Sequence, residues 1–446
     1  MKKLEVLHQI LDQNHTLSVA VDDVKQNIST DLDIKKSLSD IQKVLKSISL
    51  KASAILDEPR AAKINQVSHK LRNCCDALMP NKKSADDLIN NYNEWINIAE
   101  SIFYLESIST ANICGNQDAD QAIELLELIL SYDPQAQIKA LASFILSRKL
   151  NVRQPLRAYR LGIEAFEIDH ALCASITTKD APFHNYVYAP VEEVLWQECP
   201  ICHHGSGTPH FCAIPLFMAN YTPLFNPVKL WMKCDSCAQF FAYNFPKKFA
   251  HPQPEIEELG DEFYMESRPQ FLPVLGTIIK RILAFANGNK LLDVGAGTGE
   301  LIAAALELGC EVEAVEISKR QCERLRTMLG ITVYCADFLT YNNSAKFNMI
   351  TMGDVLEHVT DPAAAIQKAY ALLDEGGILW ISTPNFESGF SKIMKHNDPM
   401  WNEPWHISYF SYEGLKKLLG ENGFSVLDYD ISTRFNGSME VIARKI

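Results

Sequence analysis

A chain of 446 residues has room for two or three domains, and 47% apolar residues can fill several cores. A net charge of -13 without a long basic stripe disfavours nucleic acid and anionic membrane surfaces as main partners. No apolar run reaches the roughly 18 residues of a membrane span, and the amino terminus lacks a signal peptide's apolar core, so a cytoplasmic protein with reduced thiols is expected.

Residues 1–180 read as an α-helical region. Leu17, Val21, Val24 and Ile28, then Leu38, Ile41, Leu45, Ile48 and Ile55, follow a heptad-like spacing broken near Ser29–Asp33. Such a seam pairs helices with each other or with a second chain, so self-association or a protein partner is one expectation and an internal hairpin the other. Asp120–Pro134 and Pro155–His170 look alike at an offset of about 36 residues. That period is close to the tetratricopeptide repeat, although the first-helix signature is missing and an ordinary bundle fits as well.

Pro182–Pro190 reads as a linker, and the composition then changes. Cys199 and Cys202 form one C-x-x-C pair, and Cys234 and Cys237 form another about thirty residues later. Four thiolates on two knuckles suit a closed, structural Zn²⁺ site and leave no open position for catalysis. His203, His204, His210 and Cys212 have less suitable spacing. Residues 196–246 are thus expected to form a small zinc-binding β-ribbon with little core beyond its metal, followed by a linker and helix over 247–289.

From Lys290 strands and helices alternate. Lys290–Val294 is a strand, Gly295, Gly297 and Gly299 form a tight turn, and Leu301–Leu308 restores helical periodicity. Glu311–Glu316 is the second strand, and Glu316 at its tip could accept both ribose hydroxyls of an adenosine. Ser318 caps a helix running to Leu329. Ile331–Ala336, Phe347–Met352 and Ile378–Ser382 are further strands, and Phe424–Tyr429 with Met439–Ala443 reads as an antiparallel pair.

The segments LDVGAGTGE, CADF, GDVLEHVTDP and LLDEGGILWISTPN, in that order over residues 290–446, resemble the class I S-adenosylmethionine-dependent methyltransferases. The resemblance implies a Rossmann-like α/β domain of seven strands with the last antiparallel. It implies that Asp293, Gly295, Ala296, Gly297, Gly299, Glu316, Ile317, Asp337, Phe338, Asp354 and Val355 hold S-adenosyl-L-methionine. With the cysteine ribbon, the acidic stretch Pro252–Glu258 and the aromatic Asp261–Tyr264, the chain is similar to zinc-ribbon methyltransferases, many of which act on sugars or glycans. It departs where His203 and Ala238 stand after the second cysteines in place of that family's glycine, so altered turns are expected. Related sugar C-methyltransferases carry a further carboxy-terminal domain, which leaves an O- or N-methyl acceptor as the expectation here.

Methyl transfer to a hydroxyl needs alignment and removal of a proton. Asp354, His358 and His406 are the candidate catalytic residues. A helix starting at Asp354 would put Asp354, Glu357 and His358 on one face, at i, i+3 and i+4. One reading makes His358 or His406 a general base. A second has Asp354, Glu357, His358 and His406 bind a divalent metal, a set that resembles those of small-RNA 2′-O-methyltransferases and ubiquinone-pathway O-methyltransferases. A third gives Glu357 and His358 only a structural role. Trp401, Trp405, Tyr409 and Phe410 could stack on a sugar or merely pack a lid. The expected function is methylation of a sugar, glycan or related small metabolite. The alternatives are a protein or RNA methyltransferase recruited through the helices, and a cofactor-binding adaptor without turnover.

Overall fold

The computed structural model describes residues 2–27, 33–78, 85–250 and 268–446, which fall into two compact units, Met1–Tyr188 and Ala189–Ile446. Ile28, Pro252–Glu258 and Asp261–Tyr264 lie outside the described residues.

The first unit is helical: α1 (Lys2–Asn27), α2 (Asp33–Ile55), α3 (Glu58–Leu78), α4 (Ala85–Trp95), α5 (Ser101–Ile113), α6 (Ala119–Ser131), α7 (Ala136–Leu150), α8 (Pro155–Ile168) and the short α9 (Cys173–Ile176). The heptad-like seam is used inside the chain. Leu17, Val21 and Val24 of α1 and Leu38, Ile41, Leu45 and Ile48 of α2 are all buried, and the two helices pack on each other. Trp95 is fully buried, and its indole N–H donates to Asn14 Oδ1 at 2.7 Å, which satisfies the one polar atom of a core tryptophan. The two look-alike segments are α6 and α8, and both pack on α7.

The second unit opens with β1 (Glu193–Leu195), β2 (Gly207–Ala213), β3 (Lys229–Cys234), β4 (Phe240–Ala242) and β5 (Asn244–Pro246). It continues with α10 (Leu272–Leu283), β6 (Lys290–Val294), α11 (Glu300–Glu307), β7 (Glu311–Glu316), α12 (Lys319–Leu329), β8 (Thr332–Cys335), β9 (Phe347–Gly353), α13 (Pro362–Leu372) and β10 (Leu373–Pro384). α14 (Gly389–Met394), β11 (Ser408–Tyr409), α15 (Tyr412–Glu421), β12 (Phe424–Ile431) and β13 (Ser438–Lys445) complete it. A seven-stranded sheet runs β12-β13-β10-β9-β6-β7-β8. Strands β6 to β10 are parallel, and β13 is antiparallel to both β10 and β12. This is the expected mixed α/β sheet. Its near-continuous apolar strands follow from burial on both faces, with Leu291, Met349, Ile378, Trp380 and Ile442 in one core. Glu375–Gly377 sits within β10, at the irregularity between Leu373 and Ile378.

β6 pairs with β7 on one side and β9 on the other, so the strand order reverses there. A crevice opens outside the carboxyl ends of strands at such a point. The glycine turn after β6 and Asp354 after β9 both face it.

The cysteine ribbon has more core than its sequence suggested. Its β2, β3 and β4 form a sheet whose fourth strand is β11, which follows β10 in the chain by more than twenty residues. Phe211, Trp231 and Phe240 pack with Trp401 and Tyr409 in a shared aromatic core. The ribbon is therefore built into the wall of the α/β fold, because an apolar face on so small a sheet must be covered by something.

Candidate active site

Two cavities meet at the crevice. One, about 320 Å³, is lined by Glu316, Ile317, Asp337, Phe338 and Val355. The other, about 390 Å³, is lined by Asp293, Ala296, Glu357, His406 and Arg434. Gly295, Gly297, Asp354, His358 and Trp405 line both.

In the first cavity Glu316 ends β7 and is 7% exposed. Its carboxylate accepts from the Gly297 N–H and the Ser318 N–H, both at 2.8 Å. Burial raises its pKa, and the backbone N–H groups of Ser318, Gly297 and Ile317 oppose the rise, which leaves the carboxylate with spare acceptor capacity out of its roughly four lone-pair sites. Gly297 has φ +50°, and a Cβ there would meet only the Gly295 carbonyl, at 3.9 Å, so the bare backbone leaves open space. Gly295 and Gly299 differ. A Cβ on Gly295 would stand 2.4 Å from Val355 Cγ2, and one on Gly299 2.4 Å from Leu325 Cδ2. Gly299 lines neither cavity and serves the packing of α11 against α12. Lys368 donates to the carbonyls of Phe338, Leu339 and Tyr341, which fixes the loop carrying Asp337 and Phe338.

In the second cavity no helix starts at Asp354. Asp354 has φ +57°, residues 354–360 form turns, and α13 starts only at Pro362, capped by Asp361. A residue with positive φ lies outside the right-handed helical region, so Asp354 cannot be the first residue inside a helix. The Asp354 carboxylate is instead taken by Ser382 Oγ at 2.9 Å and by Arg434 at 3.0 Å.

Glu357, His358 and His406 nevertheless converge, with one ligand atom from each lying within 4.8 Å of the others. Asp354 stands outside this trio. His358 Nδ1 lies 3.2 Å from the Trp405 carbonyl. A carbonyl only accepts, so Nδ1 carries the hydrogen and Nε2 a lone pair. The Met400 backbone favours a protonated His406 imidazole, while the buried His406 Nδ1 has no hydrogen-bond partner among the described residues. Burial holds His358 down to about 4 and His406 well below its ordinary range. Burial and the neighbouring Asp354 raise Glu357 well above the carboxylate range, though Thr383 Oγ1 donates to it at 2.9 Å. Asp293, 3% exposed, is pushed up to about 7 by burial against a 2.6 Å bond from Thr351 Oγ1.

The four cysteines also converge. Cys199 Sγ lies 3.8 Å from Cys237 Sγ, and Cys202 Sγ lies 3.7 Å from Cys234 Sγ. A tetrahedron with Zn–S bonds of about 2.3 Å separates its sulfurs by about 3.8 Å, so the spacing fits. His203 and Ala238 have φ +55° and +60°. The turns expected to alter keep the left-handed residue, now carrying a side chain. His203 uses its ring to bond Asp361 Oδ1 at 3.1 Å. His204, His210 and Cys212 are not in the cluster.

Of the four aromatics after α14, Trp405 lines the cavities, while Trp401, Tyr409 and Phe410 are buried as packing. Sequence reasoning missed Arg434, Asn220 and Arg268, which line the second cavity. It also missed Lys229, buried on β3, whose Nζ donates to the carbonyls of Glu403 and Pro404 at 2.7 Å and of His406 at 2.9 Å. Burial pushes its ammonium down to about 7. Three acceptors nonetheless engage three hydrogens, which only the protonated form has. A lysine inside the apolar run Val228–Met232 was the available signal.

A family model described as a methyltransferase domain matches residues 266–429. The chain is similar to the ubiquinone biosynthesis O-methyltransferases of Leptothrix cholodnii, 29% identical over 31% of this chain and 63% of that protein, and of Haemophilus ducreyi, 34% identical over 22% and 46%. It thus spans less than two thirds of the curated relatives it matches. Among solved structures it is similar to magnesium protoporphyrin IX methyltransferase (ChlM) from Synechocystis PCC 6803 with bound SAH, at 21% identity, covering 41% of this chain and 91% of that one, with a TM-score of 0.34. No helix among the described residues is long and apolar enough to cross a membrane. The matched span takes in β6 to β10 and most of β12 of the seven-stranded mixed sheet, and this part of the chain is similar to methyltransferase domains.

Proposed function

We propose that the chain is an S-adenosylmethionine-dependent O-methyltransferase acting on a small hydroxylated metabolite, with sugars and glycans among the candidate acceptors. The observation that carries this reading is the pair of cavities joined at Gly295, Gly297, Asp354 and His358. The first suits an adenosyl group: Glu316 keeps acceptor capacity for a ribose hydroxyl, Asp337 and Phe338 flank the ring space, and Gly297 leaves room for the ligand. S-adenosylmethionine would supply a methyl on a sulfonium sulfur for in-line displacement. The second cavity, with Phe271, Trp405 and Phe435 beside polar groups, suits the acceptor.

Between a general base and a cation site, the geometry favours the cation. An imidazole held down to about 4 is a weak base. Two neutral imidazoles, one with its Nδ1 on the Trp405 carbonyl and the other with a buried Nδ1 that has no partner among the described residues, beside a buried carboxyl that Thr383 orients, suit a divalent cation. Glu357, His358 and His406 would hold it, and it would lower the pKa of an acceptor hydroxyl. Asp354, fixed by Arg434 and Ser382, would border both ligands. The four cysteines would hold a structural Zn²⁺.

Calorimetry with S-adenosylhomocysteine tests the cofactor, and methyl transfer from S-adenosylmethionine to a panel of phenols and sugars tests the activity. Absence of binding would refute the assignment. Binding without turnover on any acceptor would favour a cofactor-binding adaptor.

A further inference from the structure

The ring of His406 enters the second cavity from the turn Glu403–His406, and the placement of that turn rests on the ribbon. Its backbone offers carbonyls at Glu403, Pro404 and His406, all three of which point at one buried ammonium, Lys229 Nζ, at 2.7, 2.7 and 2.9 Å. Beyond the turn, the N–H groups of Ile407 and Ser408 both donate to the Glu357 carbonyl, at 2.8 and 3.1 Å. The chain then joins β4 as β11. Glu403 is further gripped by Asn220, whose amide donates to both carboxylate oxygens at 2.8 Å. The His406 Nδ1 has no hydrogen-bond partner among the described residues, so the aim of the ring follows the backbone.

We infer that Lys229 is a positioning residue: by binding three carbonyls of the turn, it aims His406 and Trp405 into the site and makes the ribbon part of the acceptor wall. This rests on the reading of Glu357, His358 and His406 as a cation set. A methylene-rich stem of the same volume without donors would leave three buried carbonyls unpaired, and such groups are not tolerated in place.

The test uses full-length, zinc-loaded Lys229→Met and Lys229→Gln, the second keeping two donors. Mn²⁺ binding is followed by electron paramagnetic resonance, because thiolate sites disfavour that ion. Lys229→Met should lose at least tenfold in Mn²⁺ affinity, and amide exchange over 403–409 should speed at least tenfold. Zinc content should be unchanged, and affinity for S-adenosylhomocysteine should stay within about threefold. Lys229→Gln should fall between wild type and Met, and it decides the matter if Lys229→Met fails to fold. A Gln variant with wild-type Mn²⁺ affinity and wild-type exchange would overturn the proposal. Equal loss of zinc, cofactor and Mn²⁺ binding would also overturn it, by marking a general fold defect. If wild-type protein takes up no Mn²⁺, the cation reading fails and exchange over 403–409 alone decides the role of Lys229.

Discussion

The rings of His358 and His406 meet edge to face with centroids 4.8 Å apart, and His358 turns its Nδ1 to the Trp405 carbonyl. Glu357 completes the group. If these three act as one unit, His358→Ala and His406→Ala should each cut methyl transfer about 100-fold, on the order of 3 kcal/mol of barrier. The double variant should lose little more, because ligands of one site are not additive. Single-turnover transfer with and without a chelator, and with Mn²⁺ restored, measures this. Full activity in the double variant would rule out both the cation and the base.

Asp293 gives a pH signature. Its folded pKa of about 7 lies above the unfolded carboxylate's, so the folded state holds a proton that the unfolded state releases. Stability from this group is full below about pH 4 and is lost as pH rises through about 7, falling by at most about 1.4 kcal/mol for each pH step of one in that window. Asp293→Asn should flatten that fall while leaving stability near pH 4 unchanged. Urea titrations between pH 4 and 8 would show it, and an unchanged slope would mean the carboxyl ionises freely.

Gly297 and Gly295 should separate by role. Gly297→Ala should abolish S-adenosylhomocysteine binding at a cost of about 1–2 kcal/mol in stability, the price of a left-handed L-residue. Gly295→Ala should destabilise more, because its Cβ would stand 2.4 Å from Val355 Cγ2. Calorimetry and thermal melts on both distinguish the two. Normal binding by Gly297→Ala would place the ligand elsewhere.

The cysteine cluster predicts one zinc per chain, released by Cys234→Ser. Ala238, at φ +60°, should be improved by glycine, with Ala238→Gly stabilising by about 1 kcal/mol. His203→Gly should gain less, since it gives up the bond to Asp361. Elemental analysis and melting temperature read these effects. A zinc-free protein that melts like wild type would remove the metal from the structure.

Much of the α/β half was legible residue by residue. β6 and β7 have the bounds expected of Lys290–Val294 and Glu311–Glu316, and Ser318 caps α12 as read. These are local signals: apolar runs bounded by glycine turns and a hydroxyl at a helix start. The helix that would have put Asp354, Glu357 and His358 on one face does not form, for a nonlocal reason. Ser382 from β10 and Arg434 from the β12–β13 turn claim the Asp354 side chain, and its backbone adopts a positive φ. The aromatic run after α14 was ambiguous because packing and ligand stacking use the same residues. Only contact with Trp231 and Phe240 assigns Trp401 to the core.

Sequence alone determined the order of strands and helices, the glycine turn, the acid at the tip of β7 and the two cysteine knuckles, since each depends on neighbours within a few residues. Tertiary structure decided which side chains share a cavity. His406 reaches His358 because Lys229 holds its turn and because β11 joins a sheet whose other strands precede it by well over a hundred residues. Those pairings are set by burial and by the need to satisfy buried carbonyls, conditions that a linear pattern does not encode.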